Sequence, residues 1–237
     1  MAPIHHFGNF DSYGACMKLA VATDHWLEKA ALVAMLLTAA TSSAALMVEA
    51  LGPCTDPTLP ASVKKTLASQ GYRVTLSDGS TIDLWPRAQI TSGTKTRQDA
   101  SYPLTRSTFV GVIHFERSAR DYRGNTVAAG TYNLRYELEP NDGDHLGTSP
   151  TPDFLLLVPP QADANPDQSY TFDELVALSR QVTGKKHPAP LNLVPPEVKA
   201  YPSVSTDPED RTILSFKVKT PSGELPLALV VRGTTSE

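Results

Sequence analysis

Cysteine is nearly absent, with Cys16 and Cys54 alone in 237 residues. Once a leader ending near Ala44 is removed, only Cys54 remains, so an internal disulfide is excluded. Cys54 lies beside Pro53 in a Thr/Pro-rich stretch with no neighbouring His or helix N-terminus, which argues against an activated thiolate. Charge of one sign is missing too. The formal net charge is −4, with no basic or acidic tail, so the electrostatic footprint of a nucleic-acid binder is absent. There is no fixed-period repeat, no phosphate-binding glycine loop, no dinucleotide fingerprint and no Gly-x-Ser-x-Gly elbow. Neither His-Glu-x-x-His nor His-x-His occurs.

Apolar runs are short. Ala30–Ala40 is an uncharged stretch of 11 residues, against the ~20 needed to span a bilayer. It matches the apolar region of a secretory leader, and Ser42-Ser43-Ala44-Ala45 supplies small residues for cleavage. Met17, followed by "KLAVATDHWLEK", makes an ordinary leader start, which leaves residues 1–16 as an over-long reading of the gene. The expected organisation is a leader over 1–44, a flexible lead-in over 45–60 and one domain over 61–237. The expected location is secreted or periplasmic, with membrane contact only through an uncleaved leader.

Proline is plentiful, at 20 residues. It breaks helices and gathers at turns and strand edges, so the composition leans towards β structure. "DPTLPASVKKTLASQG" predicts a short helix from Pro60, closed by Gly71. "YRVTLSDGSTIDLW" predicts a hairpin turning at Asp78-Gly79, and residues 87–105 a polar, mobile surface connector. In "STFVGVIHFERS", alternation sets Phe109, Ile113 and Phe115 against Val110, Val112 and His114. In "TYNLRYELE", Tyr132, Leu134, Tyr136 and Leu138 face inward, while Asn133, Arg135 and Glu137 face solvent. "DFLLLV" predicts a strand covered on both faces. Thr171 and Glu174 form a capping box ahead of a helix that Gly184 ends. Residues 187–210 predict a Pro-rich linker, and "RTILSFKVKTPSGELPLALVVRG" a closing hairpin.

About seven strands in sequence, joined by hairpins and not alternating with helices, give the fold class. It is mainly β: an antiparallel β-sandwich or partly open barrel with two short peripheral helices. The stretch "AAGTYNLRYELEPNDGDHLGTSPTPDFLLLVP" resembles uncharacterised secreted bacterial β-proteins and, around Ala129-Gly130-Thr131-Tyr132, is similar to the domain of unknown function DUF2911. That resemblance implies a β-sandwich and an exported location. It carries over no activity and no catalytic residue.

Candidate chemistry collects after the Gly-x-Tyr strand. Asp142, Asp144, His145 and Asp153 fall between two strands, and Arg135 lies on the strand before them as an anchor for that acidic loop. If the strands pair, His114 approaches them, and His114, His145 and Asp142 become ligands for a divalent metal. The calcium-loop order is not met, because no bidentate Glu follows. His187, before Pro188, reads as solvated. The residues point to a non-enzymatic binding or accessory role towards an envelope protein or glycan, with no cofactor evident. The alternative is a metal-dependent or carbohydrate-active site over 141–153.

Overall fold

A computed structural model describes residues 45–91, 93, 95–122, 124–141 and 151–233. These belong to one compact unit beginning at Ser43. The leader expected over 1–44 and the loop residues Asp142, Asp144 and His145 lie outside the described residues.

The fold is mainly β. Ten strands form one antiparallel sheet: β1 (Met47–Leu51), β2 (Gly71–Thr75), β3 (Thr81–Pro86), β4 (Phe109–Phe115), β7 (Gly130–Leu138), β8 (Asp153–Val158), β9 (Pro190–Val194), β10 (Ser203–Thr206), β11 (Thr212–Thr220) and β12 (Gly223–Arg232). Their order is β1-β2-β3-β4-β7-β8-β9-β12-β11-β10, and edges β1 and β10 approach each other, so the sheet nearly closes into a barrel. β5 (Ala119–Arg120) and β6 (Thr126–Val127) make a separate small hairpin. Two helices, α1 (Ala61–Lys64) and α2 (Phe172–Thr183), pack outside.

Alternating residues of every long strand fill the barrel interior, including Val74, Leu84, Ile113, Leu134, Tyr136, Leu155, Leu191, Phe216 and Leu229. Two smaller apolar clusters lie on the outer face. One sets Val63 of α1 on Trp85, Phe109 and Val112. The other sets Leu175 and Val176 of α2 on Phe154, Leu156 and Val158, which is why β8 is apolar on both faces.

Several expectations are corrected. Residues 47–51 of the expected lead-in are the edge strand β1, paired to β2. The first helix lasts one turn, and Gly71 opens β2 instead of capping it. A Cβ at Gly71 would lie 2.5 Å from the Trp85 ring, so glycine here makes room for tryptophan. The connector 87–105 is no surface loop, since Ile90, Ala100, Tyr102 and Leu104 enter the core. A β-bulge at Val110 reverses the phase of β4, turning Val110 inward and Phe109 outward. The linker 187–210 holds β9, a central strand between β8 and β12. Pro190 is tolerated because it is the first residue of that strand.

Candidate functional site

β7 carries a row that simple alternation misplaces. Asn133, Arg135 and Glu137 do point away from the barrel interior, yet they are 0%, 1% and 0% exposed. Glu137 is bonded by Arg106, while the chain between β8 and α2, residues 159–171, lies over Asn133 and Arg135 as a strap. Its Asp163 is fully buried and takes a bidentate pair from Arg135, Nε to Oδ2 at 2.8 Å and Nη2 to Oδ1 at 2.6 Å. The same guanidinium donates to the carbonyls of Ser107 and Gln168 at 2.9 Å and of Asn165 at 2.8 Å. Phe109 and Tyr170 cover it with their rings at 5.5 and 5.2 Å. Asn133 Nδ2 reaches the Asp163 carbonyl at 2.8 Å. Arginine suits this position because its planar fork serves carboxylate and carbonyls together. Arg135 therefore anchors the strap; the acidic loop it was expected to anchor lies outside the described residues over 142–150.

Asp153 faces inward at the mouth of the barrel. It accepts from the backbone N–H groups of Ser101 and Tyr102 at 2.7 and 3.2 Å and from the Tyr136 hydroxyl at 2.6 Å. Burial, and then the hydrogen bond to Asp153, push the Tyr136 phenol far above its usual range. Asp153 thus pins the connector that plugs the barrel.

His114 sits on the outer face of β4, opposite Thr131 at the start of β7. Its Nδ1 is 2.8 Å from Thr131 Oγ1, and that hydroxyl donates to Asp56. Thr131 has one proton to give, so His114 Nδ1–H is the donor. Burial pushes the Asp56 carboxyl up, but hydrogen bonds from Thr131 and Thr58 outweigh it and hold the group below its usual value. Cys54, nearby in the chain, has its thiol pushed up by burial, the opposite of an activated nucleophile.

Asp153 pairs with Leu138, which lies seven residue steps along β7 from Thr131, about 23 Å. His114 and Asp153 therefore lie at opposite ends and on opposite faces of β7, and the expected approach of the two does not occur. Among the described residues, no group of three His, Cys, Asp and Glu side chains is placed to hold a metal ion.

What the outer face does form is a groove of about 360 Å³ alongside α2. Phe154, Phe172, Pro188 and Pro190 supply apolar wall, while Glu139, Asn192, Lys185 and His187 supply polar groups. Phe154 and Asn192 are cross-strand neighbours on β8 and β9, so rigid sheet forms the floor. Phe172 is held by the first turn of α2, whose capping box closes as expected, Thr171 N–H donating to Glu174 at 2.8 Å. The volume suits one small organic ligand. His187, expected only to be solvated, is an exposed rim residue here. No sequence pattern marks the groove, because its walls come from four separate elements.

No protein-family model, curated protein or solved structure matches this chain.

Proposed function

We propose that the protein is an exported, non-catalytic binding protein, secreted or periplasmic, with a binding or accessory role in the bacterial cell envelope, and that the groove beside α2 is its binding site. The observation that carries this reading is the groove itself. Aromatic and proline walls on a rigid β floor, with a few polar groups at the rim, are what a small-molecule site needs. Support for binding over catalysis comes from the acids. Asp153 and Asp163 are committed to contacts that hold the plug and the strap. Asp83 is paired with Arg73 at 2.7 Å. Support for export comes from the apolar run Ala30–Ala40 and the small residues after it, with the first strand opening at Met47, just past the expected cut. The DUF2911-like stretch agrees with the same compartment.

Ring-proton NMR with a fragment library tests the groove. Binders are expected to shift the Phe154 and Phe172 ring resonances, and a library that moves neither ring defeats the binding site proposed here.

A further inference from the structure

A second cavity, of about 490 Å³, opens where β2 begins, β3 ends and the β11–β12 hairpin turns. It shares no residue with the groove beside α2. Two tyrosines give it flat walls. Tyr72, on β2, leans on the core, its ring centre 6.1 Å from that of Phe216. Tyr201 comes from the approach to β10, and Lys217 Nζ stands 5.3 Å over its ring. Ser69 and Gln70, both exposed, add hydrogen-bonding side chains. Beyond the two rings, the apolar wall is limited to alanine, proline and one valine.

Most of the charge in this cavity is already paired. Arg87 is bonded to Asp167 of the strap. Lys217 is bonded to Glu224 at 2.9 Å. In the β11–β12 ladder Glu224 stands directly opposite Lys219, yet its carboxylate reaches diagonally to Lys217. Lys219 is left with no side-chain partner among the described residues. With both pairs closed, one positive charge remains. The Lys219 main chain is fixed, its carbonyl accepting from the Ile90 N–H at 2.9 Å. Its side chain is exposed and can reach a ligand without first losing a partner.

A wholly apolar body would find little wall here beyond the two rings. A sugar ring suits the mixture better, because its C–H faces lie on tyrosine while its hydroxyls meet the Ser69, Gln70 and phenol groups. We infer that this cavity binds a sugar unit bearing a carboxylate, a uronic acid, either free or at the end of a glycan. The carboxylate takes the Lys219 ammonium, and the ring lies against Tyr72 and Tyr201.

The test uses D-glucuronate, D-glucose and D-glucosamine, which share one ring and differ in charge. Each is titrated into the full folded chain and followed by ring-proton NMR of Tyr72 and Tyr201. At low ionic strength glucuronate is expected to bind at least about threefold tighter than the other two, a modest factor because Lys219 is exposed. The difference shrinks as salt is raised. Lys219→Gln alters an exposed side chain, removes the preference and leaves glucose binding as it was. Lys186→Gln, equally exposed but outside the cavity, leaves the preference intact. Equal or tighter binding of glucose or glucosamine overturns the inference. So does a preference that survives Lys219→Gln or is lost equally in Lys186→Gln, and so does failure of all three sugars to move either ring. A β-linked glucuronate trimer separates the two sources: tighter binding than the monomer assigns a glycan end, and weaker binding the free acid. None of these outcomes bears on the groove beside α2, which the fragment library tests by itself.

Discussion

Arg135 shows how one residue can carry more of the structure than its place in a pattern implies. Alternation along β7 correctly turns it away from the barrel interior. What was not legible is that "outward" there means buried. Its cover comes from Asp163, 28 residues on, in a turn-rich stretch with no periodicity to announce a contact. Removing one partner of a buried, hydrogen-bonded pair leaves the other charge stranded, so Arg135→Ala is expected to cost about 3–5 kcal/mol. Urea denaturation measures it. Arg135→Lys recovers little, because an ammonium cannot serve Asp163 and three carbonyls from one plane. Asp153→Asn should cost about 1–3 kcal/mol, since its amide end cannot accept from the Ser101 or Tyr102 N–H groups. Asp153 was legible as an acid with something to hold, but its partners, Tyr136 and the connector, were not. The connector reads as polar, and its four buried apolar residues are too scattered to show a face.

At the scale of elements, local chemistry was read well wherever a short-range rule decides. The hairpin at Asp78-Gly79, with Gly79 at φ 77°, and the capping box and Gly184 end of α2 are such cases. Elements whose existence depends on distant partners were missed. β9 looks like linker because proline surrounds it, and it becomes a strand because β8 and β12 both pair with it. α1 stops after one turn because the chain must bridge to Arg87 beside β3. Thr171→Ala should cost about 1 kcal/mol in thermal or urea unfolding. The cap is also pH-dependent. Hydrogen bonds from the Thr171 backbone and hydroxyl hold the Glu174 carboxyl below its usual value. A carboxyl lowered in the folded state stabilises above its unfolded value, about 4.3, and loses that contribution as pH falls through the folded one. The stability gap between wild type and Thr171→Ala is therefore expected to be full near neutrality and to narrow below about pH 4. A gap that widens in acid would contradict the cap geometry. Gly111→Ala should be far more damaging than a surface change, because its Cβ would lie 2.4 Å from the Trp85 carbonyl oxygen. The position has no alternative path, since the β4 bulge fixes it there.

For the whole molecule, the fold class was legible from hairpin-linked alternation, whereas the number of strands was not. One continuous interior links nearly all the strands. Unfolding is therefore expected to be a single transition, with Trp85 fluorescence and far-UV circular dichroism coinciding across a urea titration. Trp85 reports on the outer cluster and the dichroism on the sheet, so separated curves would mean that α1 and the first strands form a distinct unit. Export is checked by N-terminal sequencing of the protein from its native host. A start between Ser43 and Met47 is expected, and an intact Met1 or Met17 in the cytosol would rule out the envelope role.

The position of β12 has a further consequence. β9 and β10 follow one another in the chain, yet in the sheet they are held apart by the last hairpin, β11–β12. The sheet therefore cannot be completed from the N-terminus forward. Until the β11–β12 hairpin is delivered, β9 has β8 alone as a neighbour and β10 has nothing to join. A nascent chain of this design keeps the free side of β9 as an open edge until that hairpin has been made. Closing the sheet is thus left to one hairpin, which supplies a partner to β9 and to β10 at once.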